Sequence, residues 1–114
     1  MATDRQNKVG RLVQKELADI FLRNKQVLFS NAFITVTTVR ATPDLSIAKV
    51  YLSLFGVADK EALLEKIKEH GWAIRKELGA RVKNQLRKVP ELTFFIDDSL
   101  DYAEHIDNLL KGKK

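Results

Sequence analysis

A chain of 114 residues with 45% hydrophobic content can bury one core but not two, so a single domain over residues 1–110 with a short basic tail at 111–114 is expected. Charged residues make up 31% of the chain, 20 Lys and Arg against 15 Asp and Glu, and the net charge of +5 favours a polyanionic partner while still fitting an ordinary solvated surface. Cysteine is absent, which removes disulfides, thiolate nucleophiles and Cys-ligated zinc together.

The first ten residues are polar and lack the apolar core of a signal peptide, and no stretch reaches membrane-spanning length, so a cytoplasmic protein without membrane contact is expected. From residue 3 to about 25, Val9, Leu12, Val13, Leu17, Ile20 and Phe21 recur at the three-and-four spacing of an amphipathic helix. Opposite that arc, Lys8, Arg11 and Lys15 fall in one stripe. One helix thus packs inward and presents cations outward.

Residues 33–40 (FITVTTVR) are rich in β-branched and aromatic side chains and read as a strand, broken at Ala41-Thr42-Pro43-Asp44 where Pro and Asp favour a turn. Val50, Leu52 and Leu54 then alternate with Lys49, Tyr51 and Ser53, the period of a half-buried strand ending at Gly56. Asp59 is placed to cap a helix carrying Leu63, Leu64 and Ile67, which Gly71 interrupts. Helical spacing resumes at once, with Ile74, Leu78, Val82 and Leu86 every four residues and Trp72 at the edge of the arc, so two helices meeting at a kink are expected.

Lys76, Lys83 and Arg87 project together on a flank of this second helix, where they could equally be a solubilising face. Arg75 projects inside the apolar arc, and snorkelling from the packed face or pairing with an acid competes there with contact to a polyanion. Pro90 prevents helical continuation, and residues 92–96 (LTFFI) read as a third strand. Asp98 can cap a final helix through Asn108, with Asp101 in its first turn.

The expected fold is therefore α+β, with helices on one face of a small sheet. Charge is divided along it. Residues 71–90 hold Arg75, Lys76, Arg81, Lys83, Arg87 and Lys88 against Glu77 alone, whereas residues 91–110 hold six acids and no Lys or Arg, which points any phosphate contact away from that end.

Catalysis has little to stand on. His70 and His105 are far apart in sequence, and no nucleotide-binding glycine loop or His-pair metal motif appears. Asp97, Asp98 and Asp101 could suggest a cation site, but helix capping explains them more simply. No enzyme activity, metal, cofactor or small-molecule substrate is expected, and the chain is expected to act as a monomer. A binding module for an acidic protein, anchored by Trp72 or Tyr102, is the competing reading.

The order helix, strand, strand, helix, kink, helix, strand is that of type II KH domains, and the residues filling it resemble the ribosome-binding factor A family. The resemblance is carried by Glu16-Leu17-Ala18-Asp19-Ile20, Ile34-Thr35-Val36-Thr37 with Asp44-Leu45, Ala48-Lys49-Val50-Tyr51, residues 71–79 (GWAIRKELG), and Pro90-Glu91-Leu92-Thr93-Phe94 with Asp97 and Ser99. It implies a KH-like domain with a three-stranded mixed sheet. It also implies a bacterial cytoplasmic factor without catalytic activity that binds the free 30S subunit late in assembly, supporting maturation of 16S rRNA and growth in the cold.

A standard KH module grips nucleic acid with a Gly-x-x-Gly loop between its middle helices, because glycines let backbone N–H groups approach phosphates. The family has instead an Ala-x-Gly kink, and here that tripeptide reads Glu69-His70-Gly71, placing a carboxylate where phosphate would come. Affinity is accordingly assigned to Lys8, Arg11 and Lys15 on the first helix and to Lys76, Lys83 and Arg87 on the third, with Arg75 less firmly attached to the set. Two further departures are Asn24-Lys25-Gln26 in place of the family's Asp-Pro-Arg turn, and the expectation of no long charged tail after Leu110.

Overall fold

A computed structural model describes residues 3–24, 33–55 and 57–97. Its elements are α1 (Asp4–Arg23), β1 (Phe33–Ala41), β2 (Ile47–Phe55), α2 (Lys60–Glu69), α3 (Gly71–Val82) and β3 (Glu91–Ile96). The sheet runs β1-β2-β3, with β1 antiparallel to β2 and β2 parallel to β3, so it is mixed as expected. The final helix expected from Asp98 lies outside the described residues.

α1 starts where Thr3 closes a capping box: its hydroxyl accepts from the Gln6 N–H at 3.1 Å while its own N–H donates to Gln6 Oε1 at 2.9 Å. Val9, Val13, Leu17, Ile20 and Phe21 from this helix are buried against Val36, Val50, Leu52 and Leu54 from the strands. Leu63, Leu64, Ile67, Ile74, Leu78, Val82 and Phe94 complete one core on that face of the sheet. The other face shows Phe33, Phe55 and Phe95 at least partly to solvent, with Tyr51 and Phe95 stacked at 5.3 Å.

α1 is fastened to β1 at three successive turns. Gln6 Nε2 donates to the Ala41 carbonyl at 2.9 Å, and Gln14 Nε2 lies 3.2 and 3.3 Å from the carbonyls of Val36 and Thr37. Between them, a Cβ built on Gly10 would stand 2.7 Å from the Val39 carbonyl oxygen, so only glycine lets the helix come this close. Gln14 reaches the strand where its register shifts, between Val36 and Thr38. The Thr37 hydroxyl lies 2.6 Å from Asp97 Oδ2 and 3.2 Å from the Tyr51 carbonyl, and it donates to the nearer carboxylate.

The β1–β2 turn is organised around one oxygen. Asp44 Oδ1 accepts from the Thr42 hydroxyl at 2.8 Å, the Ser46 hydroxyl at 2.8 Å and the Ser46 N–H at 3.1 Å. These bonds, the Thr42 hydroxyl foremost, hold the Asp44 carboxyl down at about 2 against an ordinary 3.8. The turn carries Leu45 in the left-handed region at φ 61°, a conformation that costs a side chain with a Cβ roughly 1–2 kcal/mol.

The break between α2 and α3 falls at His70, whose N–H donates to the carbonyls of Lys66 and Ile67 while its own carbonyl receives the Ile74 N–H. Gly71 is already the first residue of α3, and no heavy atom stands closer than 3.9 Å to a Cβ placed on it. α3 stops at Val82, short of the Leu86 that the apolar repeat reaches. The N–H groups of Gln85 and Leu86 both donate to the Val82 carbonyl at 2.9 Å, closing a turn that sends the chain back toward Glu91, the partner of Ile47. Leu86 still packs on the core from this turn, so the same periodic signal arises from a different backbone.

Two outcomes follow for stability. Gly10→Ala should lower it by about 1–2 kcal/mol by chemical denaturation, because overpacking against a backbone atom outweighs the ~1 kcal/mol of helix propensity gained, whereas Gly71→Ala should cost nothing. The depressed Asp44 carboxyl stabilises the folded chain above its ordinary value, and that contribution is lost as pH falls through the folded one. The denaturation midpoints of the natural chain and Asp44→Asn should therefore converge as pH is lowered from 5 to 2.

Candidate nucleic-acid interface

The cations fall into two groups once their partners are known. Arg81 is consumed inside the protein: its guanidinium reaches Asp19 at 2.7 Å, Glu77 at 3.0 Å and Glu16 at 3.3 Å, joining α3 to α1. Its hydrogen bond, followed by that of Arg23, pulls the Asp19 carboxyl below its usual value, and Asp19 in turn raises Arg81. Arg75 is also committed, donating from Nη2 to the Val89 carbonyl at 2.7 Å and from Nε to the Pro90 carbonyl at 3.0 Å. It does leave the packed face, but toward backbone oxygens rather than an acid, and it thereby holds the segment entering β3.

Lys8, Arg11, Lys15, Lys76, Lys83 and Arg87 are all exposed, and none forms an ion pair with a described residue. They do not form the two stripes that the sequence suggests. Lys8, Arg11 and Lys15 do share the outer side of α1. The second trio is divided, because only Lys76 lies within α3, with its ammonium 5.2 Å from the centroid of the exposed Trp72 ring, a cation–π contact. Lys83 caps the helix, and Arg87 lies beyond it in the returning segment.

That segment brings Arg87 to Lys8. Both line a cavity of about 580 Å³ between the N-terminal half of α1, the β1–β2 turn and residues 85–90. Arg5 and Lys88 stand at the same cavity, two cations outside the set assigned from the sequence. Each had a local signal: Arg5 continues the Lys8, Arg11, Lys15 stripe three residues toward the N-terminus, and Lys88 adjoins Arg87. Among the described residues Asp44 is the single acid lining it, and its Oδ1 accepts from Thr42 and Ser46. The concavity is therefore cationic, as a binding site for phosphate should be.

The kink is a different place. Glu69 is exposed, His70 is half-buried with its N–H donating back to the carbonyls of Lys66 and Ile67, and Gly71 is already the first residue of α3. Among the described residues no group of three or more His, Asp or Glu is gathered to hold a metal ion, and no helix is long and apolar enough to cross a membrane.

Comparison with known proteins identifies the family and the fold. The family model for ribosome-binding factor A matches residues 5–110. The ribosome-binding factor A of Cytophaga hutchinsonii is 52% identical over 110 residues, covering 96% of this chain and 83% of that one. That of Flavobacterium johnsoniae is 50% identical over 117 residues, covering 100% and 88%. The crystal structure of ribosome-binding factor A from Thermus thermophilus superposes with a TM-score of 0.68 at 22% identity, over 80% of this chain and 94% of that one. A homology model of the Thermus factor, fitted into a cryo-electron-microscopy map of its complex with the 30S subunit, gives 0.59 at 22% identity over 76% and 93%. The fold is thus the KH-like one of those structures, and with a family match spanning nearly its whole length the chain belongs to the ribosome-binding factor A family.

Proposed function

We propose that this protein binds the free small ribosomal subunit in the cytoplasm, as a monomer, by holding cations against folded 16S rRNA, and that it supports late assembly and rRNA maturation, including in the cold, without catalysing a reaction. The observation that carries the reading is the set of exposed cations with no acidic partner among the described residues: Arg5, Lys8, Arg11 and Lys15 along α1, and Lys83, Arg87 and Lys88 in the segment that returns beside it. Exposed cations held on a rigid scaffold are those that release counterions when they meet phosphate. The Thermus relative fitted on a 30S subunit gives the kind of polyanion in question.

Lys76 belongs to the same proposal with a different role. Its ammonium and the Trp72 ring form one exposed unit on α3, suited to a phosphate and a neighbouring sugar or base.

The test is sedimentation of the tagged chain through a gradient of cell lysate, with and without ribonuclease. Comigration with free small subunits but not with complete ribosomes is expected, and binding that survives ribonuclease would reassign the surface to an acidic protein. The triple variant Lys8→Gln, Arg11→Gln, Lys15→Gln should fold with stability within about 0.5 kcal/mol of the parent, since all three side chains are exposed. Its plot of log affinity for the small subunit against log salt should flatten by roughly one unit per lost phosphate contact. An unchanged slope would move the interface off α1.

A further inference from the structure

We propose that the cationic cavity is a pocket for one unpaired RNA nucleotide, with the base on an aliphatic floor and the flanking phosphates on the rim. This rests on the reading that the partner is RNA and adds which form of RNA the site takes. The floor is made by Val9 and Leu12 of α1, Leu45 of the β1–β2 turn, and Leu86 and Pro90 of the returning segment, while Arg5, Lys8, Arg87 and Lys88 stand around it. Its volume of about 580 Å³ lies within the range of small-ligand pockets.

Cations alone would suit any phosphate backbone. A double helix, however, offers phosphates and sugars while its bases stay stacked inside, and it has nothing apolar to lower into a hole between them. An unpaired base has two apolar faces and a polar edge, and this cavity holds a match for each. Gln85 is exposed at the wall and none of its side-chain groups is engaged in a hydrogen bond with a described residue, so its amide can both donate to and accept from a base edge. The Ser46 hydroxyl donates to Asp44 and keeps its acceptor capacity toward the cavity.

The turn provides an independent indication. Leu45 occupies a backbone conformation that glycine adopts more readily, and the three bonds to Asp44 Oδ1 hold the turn that imposes it. What the chain obtains by keeping leucine at this position is an aliphatic side chain that packs on the edge of the core and at the same time lines the cavity wall, beside Asp44. Among the described residues no aromatic side chain lines the pocket, so the base would rest on aliphatic contact while its edge meets Gln85.

The experiment compares binding of a fluorescent oligouridine and of a blunt RNA duplex with the same number of phosphates to the full chain and to Leu45→Gly. Glycine suits φ 61°, so the variant keeps the turn, and a thermal melt verifies that it folds. The natural chain should prefer the single strand, and Leu45→Gly should lose about tenfold in oligouridine affinity while duplex affinity stays unchanged. Equal oligouridine binding by the two proteins overturns the pocket, as does a preference for duplex. An oligoglutamate peptide of matched charge that displaces the oligouridine at equal concentration also overturns it, in favour of an acidic protein segment. Small-subunit sedimentation is run in parallel: comigration retained by the natural chain while the pocket result fails leaves the broader reading standing, and failure of both removes the two together.

Discussion

The contact on which the structure depends is the close approach of α1 to the edge strand β1. A helix normally keeps its distance from a sheet because side chains on both surfaces must interleave. Here Gly10 removes the obstacle at the Val39 carbonyl, and Gln6 and Gln14, one turn to either side, donate to carbonyls of the same strand. Three residues four apart thus form a polar seam beside the apolar one made by Val9, Val13 and Leu17, and the helix has both its height above the sheet and its position along it fixed.

That seam also settles the direction of the cations. With residues 6, 10 and 14 facing β1, the outer side of the helix must carry Lys8, Arg11 and Lys15, and the start of the helix must lie beside the β1–β2 turn. Arg81 provides the second fixed point, drawing α3 to the other end of α1 through Glu16 and Asp19. Arg75 then ties residues 89 and 90 to α3, which leaves the segment before them looped against α1. Two arginines are spent internally so that the remaining cations can be held outward by a rigid frame.

Much of this fold was legible in the residues, because periodicity reports which side of an element is buried. The α1 arc, the alternation through Val50, Leu52 and Leu54, and the break between two helices near Gly71 all correspond to structure. The misplacements arise where a local pattern cannot distinguish two backbones. Leu86 fits a four-residue repeat and is packed on the core, yet it reaches it from a turn, which takes Arg87 out of the stripe with Lys76 and sends it to Lys8. Nor does charge counting along 71–90 separate Arg75 and Arg81 from Lys83 and Arg87. Apart from Glu77, one turn before Arg81, their partners are carbonyls and carboxylates 14 to 65 residues away, and only the folded chain brings them together.

Trp72 is the only tryptophan in the sequence, and it stands 74% exposed beside Lys76 rather than in the core. The intrinsic emission of this protein is therefore that of a solvated indole next to a positive charge in the folded chain, and of a solvated indole again once the chain unfolds. Fluorescence at the tryptophan wavelength is a poor thermometer for this fold and a sensitive lamp for whatever settles on α3.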